Sequence, residues 1–189
     1  MNKLFKRYAL IVSCSLVILM SCQGSSELSL DFQCGGSISN LEDVADFENK
    51  FSMPIPKDWK VNLYYDSAQS SIYFADTTKQ LTETTIVDVT FIKQKTNFDA
   101  AFLSNVQTNY VNAALKEEKN KTFSLNDYPS YYTVAKGIRN NFPYTICNVF
   151  INTMGDGTFI HAKLEVYGDS LVEQRLCKGI DLVEKIRFK

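Results

Sequence analysis

The chain has 189 residues, a length suited to one domain, with 45% hydrophobic and 22% charged residues, the balance of a globular rather than a disordered protein. Twenty basic against 21 acidic residues give a formal net charge of -1, which argues against a nucleic-acid partner, because such a surface needs a basic stripe. One histidine, His161, excludes a multi-histidine metal site, and neither metal nor cofactor is expected.

Residues 1–22 read MNKLFKRYALIVSCSLVILMSC. Lys3, Lys6 and Arg7 form a basic start, and an apolar run follows from Tyr8 to about Met20, too short and wrongly flanked for a membrane span but fitting a secretory signal. Leu19-Met20-Ser21-Cys22 resembles the lipobox of bacterial lipoproteins: an aliphatic residue, a tolerant position, a small residue, then the cysteine that is lipidated. The resemblance implies a signal peptide over 1–21 and a mature chain that begins at Cys22 with a diacylglyceryl thioether and an amide-linked acyl chain of the palmitate type. One chain holds a protein marginally and two or more hold it firmly, at ~0.8 kcal/mol per buried methylene. Ordinary cleavage, leaving Cys22 free, is the alternative.

Cleavage removes Lys3, Lys6 and Arg7 and no acid, so 17 basic residues face 21 acidic ones in the mature chain. Anionic headgroups repel such a domain, which is expected to stand away from the bilayer on a flexible tether over 22–40, where GSS and GGS occur. No acidic run, a surface-export cue in some lipoproteins, follows Cys22, so the expected location is the outer membrane, facing the periplasm.

A single α+β domain is expected over 41–189. Asn40 to Asn49 reads as a short helix, through Leu41, Val44, Ala45 and Phe47. Phe51-Ser-Met-Pro-Ile-Pro begins an extended stretch that its prolines confine to an edge or a strand start. Trp59–Tyr65, Ile72–Ala75 and the β-branched, alternating Thr84–Lys93 read as strands. From Asn97 to about Lys119 the period changes: Phe98, Phe102, Val106, Tyr110 and Ala113/Ala114 mark one helix face, with KEEKNK as its solvated end. Tyr131–Ile138, Tyr144–Asn152 and Thr158–Tyr167 are three more strands, the last two joined at Asp156-Gly157, a hairpin signal. Ser170-Leu-Val-Glu173 is a capping box opening a helix with the stripe Val172, Leu176, Ile180 and Val183, and Ile186–Phe188 closes the chain as a short strand.

This order predicts an α+β fold with a mainly antiparallel sheet flanked by helices. FSMPIPKDW near the start, the central helix, the YPSYYTVAKG strand, the long hairpin and a last helix running into IRF resemble the Mog/PsbP-like α/β sandwich over most of residues 50–188. The resemblance implies a small, non-catalytic binding or assembly module; no residue-level active site comes with it.

Five cysteines occur; with Cys14 removed and Cys22 acylated, Cys34, Cys147 and Cys177 remain, without a CxxC spacing. Cys147 shares its strand face with Thr145, Val149 and Ile151, which places it in the core opposite Ile160, Ala162, Leu164 and Val166. Cys177 flanks the apolar stripe of the last helix. The two are read either as free buried thiols or as a Cys147–Cys177 bridge. A Cys147–His161 nucleophile pair is disfavoured, because the hairpin register holds the two residues far apart along the strands. His161 reads as a partly exposed strand residue, Glu42-Asp43 as a solvated pair, Gly155-Asp156-Gly157 as a turn and Trp59 as an anchor for the first strand. Adjacent strand residues point to opposite faces, so one ring each of Tyr64-Tyr65 and Tyr131-Tyr132 faces away from the main core. Tyr131, Tyr144 and Tyr167 then form an aromatic interaction surface, unless a second helix layer covers them.

The function expected from these features is a non-catalytic envelope lipoprotein, held to the membrane by its lipid and binding or assembling another envelope protein. Binding of a small or hydrophobic ligand in a gap between sheet and helix is the alternative, to be marked by a polar-rimmed apolar cavity. A hydrolase using paired carboxylates is the third reading, marked by two convergent acids in a cleft.

Overall fold

The computed structural model describes residues 26–153 and 157–189; the signal segment, Cys22 and the Gly155-Asp156 part of the hairpin turn lie outside them. The first strands are β1 (Leu41–Ala45), β2 (Phe51–Pro56), β3 (Lys60–Tyr65), β4 (Gln69–Ala75) and β5 (Ile86–Ile92). Then come β6 (Leu115–Leu125), β7 (Tyr128–Arg139), β8 (Phe142–Asn152), β9 (Phe159–Tyr167) and β10 (Arg187–Phe188). The helices are α1 (Glu27–Asp31), α2 (Ala100–Asn112) and α3 (Val172–Val183). Seven strands form one antiparallel sheet in the order β3-β4-β5-β9-β8-β7-β6, and β1-β2-β10 form a small one. The expected α+β class with a mainly antiparallel sheet is what the chain adopts.

Both faces of the large sheet are covered. On one face the small sheet and α3 enclose the main core, where Phe51, Met53 and Ile55 meet Ile72, Phe74, Val149, Ile160, Leu164 and Ile180. Gly179 lets α3 settle close on β9, since a Cβ there would stand 2.8 Å from Leu164 Cδ2. On the other face α2 lays Val106 and Tyr110 over Tyr131, Ala135, Ile146 and Phe150. The alternation of Cys147, Val149 and Ile151 against Ile160, Ala162 and Leu164 does face the main core, as the sequence implies.

Three elements depart from the sequence reading. Residues 41–45 form a strand rather than a helix: β1 pairs with β2 from Leu41↔Pro56 to Ala45↔Ser52. Asp46 fixes the turn between them, its carboxylate accepting from the backbone N–H of Lys50 (2.6 Å) and Phe51 (2.8 Å) and from Ser70 Oγ (2.6 Å). The prolines of β2 are tolerated because β10 pairs only with Phe51 and Ser52 and stops short of them. KEEKNK belongs to β6 rather than to the helix, which ends at Asn112 with Ala114 at φ +53°. β6 is an edge strand, where charge protects unpaired backbone, and a register shift between Glu117 and Lys119 breaks the alternation that would have marked it. The capping box does not form: Leu171 is the N-cap of α3, at φ +51°, with no side-chain cap bond.

The tether expected over 22–40 is also corrected, because from Ser26 onward the chain packs on the domain. Leu28 is fully buried in the main core, and Phe32 lies against Tyr132 at 5.3 Å between ring centroids. Asp31 accepts from Lys121 Nζ (2.9 Å), which holds its carboxyl below the usual range. Glu184 accepts from the hydroxyls of Ser26 and Ser29, and the Ile38 N–H donates to Asp181 at 3.0 Å. The expected Cys147–Cys177 bridge is replaced by Cys34–Cys177, while Cys147 is a free, buried thiol. Cys177 stands on the flank of α3 that faces this N-terminal strap, its sulfur 3.9 Å from the Phe32 carbonyl, whereas Cys147 points into the core.

Candidate functional site

Between α2 and the outer face of β8 and β9 lies a cleft of about 930 Å³, a size typical of ligand pockets. α2 is positioned by Asp99, which caps it by accepting from the Phe102 N–H at 3.0 Å. Its buried residues, Val106 and Tyr110, seat it on the sheet, while Asn105 and Asn109 look onto the cleft from its exposed side. β8 and β9 supply the floor through Ile146, Asn148, Phe150, Phe159 and His161. The rings interlock: Phe102 meets Phe150 edge-on at 5.0 Å, and Phe98 meets Phe159 edge-on at 5.9 Å.

A polar chain crosses this floor. His161 stacks on Phe150 at 4.4 Å and shares a hydrogen bond of 2.8 Å between its Nε2 and Asn148 Oδ1. Asn148 Nδ2 donates to Tyr110 Oη at 2.6 Å. Because Asn148 Oδ1 can only accept, His161 carries its proton on Nε2. Burial, with a smaller effect from the Lys163 charge, pushes the imidazole down to about 3, so it is neutral near pH 7. Burial also pushes the Tyr110 phenol up to about 12. At one end of the cleft Tyr144 Oη donates to Glu165 Oε1 (2.5 Å), and Arg139 Nη1 donates both to that oxygen (2.8 Å) and to Tyr144 Oη (3.0 Å). Burial first, then the bond to Glu165, raises the Tyr144 pKa.

The structure sorts the sequence candidates. Tyr131, Tyr144 and Tyr167 do share a face of the sheet, but they form no exposed patch: α2 and neighbouring rings leave them 3%, 2% and 6% exposed, and only Tyr144 reaches the cleft. Tyr64 and Tyr65, by contrast, are both exposed on the edge strand β3, where Tyr65 stacks on Phe47 at 3.9 Å. Cys147 pairs with Leu164, three residues from His161, and an odd offset puts the two on opposite faces. They form no nucleophile pair; burial holds the thiol up at about 12. The acids nearest the cleft are already engaged, Asp99 as a helix cap and Glu165 with Tyr144 and Arg139. Among the described residues no group of three His, Cys, Asp or Glu side chains converges as metal ligands would, and no helix is long and apolar enough to cross a membrane.

The cleft itself is what the sequence reading missed as a set of residues. Two signals pointed to it. Asn105 and Asn109 recur one helical turn apart beside the apolar stripe of α2, and His161 shares its strand face with Phe159.

A seven-stranded antiparallel sheet with a helix on one face and a helix plus a small sheet on the other defines the class as an α+β sandwich. Comparison with solved structures gives its particular form. The chain is similar to the cyanobacterial PsbP of Synechocystis, at TM-score 0.55 and 15% identity over 88% of this chain and 99% of that one. It is similar to the Saccharomyces cerevisiae Ran-binding protein Mog1p at TM-score 0.50 and 10% identity, over 80% and 96% of the two chains. It is similar also to LpqN of Mycobacterium tuberculosis, described as involved in cell envelope biogenesis, at TM-score 0.50 and 11% identity over 79% and 90%. Against a Bacteroides thetaiotaomicron structure (TM-score 0.52, 13% identity) it aligns over 80% of its length but spans only 49% of the other chain. The fold is therefore the Mog/PsbP-like α/β sandwich. No family model and no curated protein matches the sequence.

Proposed function

We propose that this chain is a non-catalytic binding module of a bacterial cell envelope, lipid-anchored through Cys22 at the outer membrane and facing the periplasm, and that it binds through the cleft under α2. The observation that carries the reading is the cleft: an aromatic floor with a polar rim, whose only imidazole is neutral and bonded to an amide. That is an arrangement for holding a molecule rather than for moving protons. The lipobox-like Leu19-Met20-Ser21-Cys22 supports the anchor, and the Cys34–Cys177 disulfide supports an oxidising compartment. The involvement of LpqN, of similar fold, in cell envelope biogenesis supports the envelope location.

A second reading, docking of a protein partner, is favoured by a different surface. Tyr64, Tyr65 and Phe47 are each more than half exposed, on and beside the free edge strand β3. That Mog1p, of similar fold, is a Ran-binding protein supports a protein partner.

In-cell photo-crosslinking separates the two. A photoreactive residue is placed at Asn105 in the cleft or at Tyr64 on the edge, each in the native and in the Cys22→Ala background. The proposal expects a reproducible adduct from position 105, lost when Asn109→Trp fills the cleft. Adducts from position 64 alone would replace the cleft by the edge. Cys22→Ala protein that stays in the membrane fraction would overturn the anchor.

A further inference from the structure

We infer that the cleft takes a short neutral saccharide, its ring faces on the aromatic floor and its hydroxyls on the surrounding carboxamides. This rests on the reading of the cleft as the binding site and names the class of molecule that fits it.

Charge is the first discriminator. Arg139 is matched by Glu165 at 2.8 Å, and Asp99 is spent on its helix. The other cation lining the cleft, Lys95, lies beside Gly157, at the opposite end of the floor. β8 takes eight steps from Tyr144 to Asn152, roughly 26 Å of floor at ~3.3 Å per residue, with Arg139 held at the Tyr144 end and Lys95 beside Gly157 at the other. With Arg139 charge-matched and Lys95 entering from the other end, the lining favours a neutral ligand over an anion. The same length makes the cleft a trough, suited to a chain of small rings rather than to a single one.

Polarity is the second. Gln94, Asn97, Asn105 and Asn109 line the cleft, each offering both an acceptor and donors, while the Asn148 amide is engaged by His161 and Tyr110. A sugar hydroxyl likewise donates and accepts, so it can satisfy both ends of a carboxamide. The neutral His161, fixed through Asn148 to Tyr110, adds a polar group that demands no counter-charge. An acyl chain would strip water from these amides and return nothing. A polypeptide is disfavoured for a different reason: β8 and β9 are interior strands, with their backbone groups already paired on both sides, so there is no ladder for an added strand to join. Phe102, half-buried on α2, stands edge-on to the buried Phe150 and Phe159 and supplies the apolar area against which the C–H groups of a sugar ring pack.

The test uses the whole mature chain carrying Cys22→Ala, so that no bilayer competes for the probes. Saturation-transfer NMR is run with maltotetraose, cellotetraose and chitotetraose, and separately with palmitate and tetra-alanine. The expected result is transfer to the ring protons of at least one saccharide and none to the other two probes. Affinity should fall at least tenfold in Phe102→Ala and vanish in Asn109→Trp, which adds bulk from an exposed helix position and leaves the core untouched. Tyr64→Ala, far from the cleft, should bind unchanged. A palmitate or peptide signal that Asn109→Trp abolishes, with no saccharide signal, would overturn the ligand class and keep the cleft as the binding site. If Asn109→Trp, with an unaltered near-UV spectrum, changes the binding of no probe, both the saccharide and the cleft are refuted.

Discussion

Breaking the Cys34–Cys177 bridge gives the sharpest test of the fold. The bond closes a loop across a sequence separation of 143, almost the whole described chain. In the chain-entropy treatment a loop of that length restricts the unfolded state by about 5 kcal/mol. The native protein recovers part of this when the bond is absent, because the strap from Ser26 to Ile38 can then loosen at its less buried residues. Leu28, Asp31 and Ser29 still hold it, through the core, Lys121 and Glu184 respectively. The expected net loss for the Cys34→Ser/Cys177→Ser double variant is therefore about 3–5 kcal/mol. With a urea slope of about 2 kcal/mol per molar, the midpoint should fall by roughly 1.5–2.5 M. The assay is equilibrium urea unfolding of the unlipidated mature chain, alongside non-reducing peptide mapping. A loss under about 1 kcal/mol would refute the loop-closure argument. A map that joins Cys147 to either partner would refute the pairing itself.

Four further outcomes are expected. Arg175 is buried, its guanidinium donating to the carbonyls of Thr82 (2.9 Å), Tyr167 (2.8 Å) and Thr84 (3.1 Å), with no ion pair to a carboxylate among the described residues; Arg175→Met should cost about 3 kcal/mol in urea unfolding, and Arg175→Lys should recover only part of it. Leu171 holds a left-handed conformation at an exposed N-cap, so Leu171→Asn should stabilise by about 1 kcal/mol, read as a raised melting temperature. His161 is held neutral in the fold down to about pH 3 while the unfolded chain takes up its proton near 6.5; stability should therefore be complete above pH 6.5 and decline below it, and His161→Gln should flatten that part of the profile of urea midpoint against pH. The Cys147 thiol should be inert to Ellman's reagent in the native Cys22→Ser mature chain and should react once per molecule on unfolding without reductant, whereas reaction in the native state would contradict its burial.

What the sequence could disclose followed from periodicity. The hairpin of β8 and β9 was legible because both strands are interior and alternate without interruption, so Cys147 and Leu164 could be set on the core face in advance. β6 was not, because an edge strand carries charges where a helix end would and its bulge at Glu117 and Lys119 removes the period. The strap was hidden by composition: the glycines and serines around it read as flexible, while its order comes from long-range partners, Leu28 to the core and Ser29 to Glu184. The disulfide was misassigned for the same reason, since the strap that brings Cys34 to Cys177 was not foreseen. Arg175 was passed over because nothing local distinguishes a buried arginine from an exposed one. The cleft depends on how far α2 stands from the sheet, a tertiary quantity; the sequence supplied only the amides and the histidine that line it.

On the proposed lipid anchor, the strap would also limit how far the domain can stray from the membrane. If Cys22 carries the acyl chains, only three residues separate it from Ser26, which is bound to Glu184. Four peptide steps reach at most about 14 Å. The molecule is then not a buoy on a long line but a plate bolted near the headgroups, free to tilt and unable to roam. The bolt sits on the side of α1, which packs against β6 and α3, and the cleft opens on the opposite side of the large sheet. A ligand held in the cleft would then be offered only within a short radius of the lipid, and a partner would have to come that close to receive it.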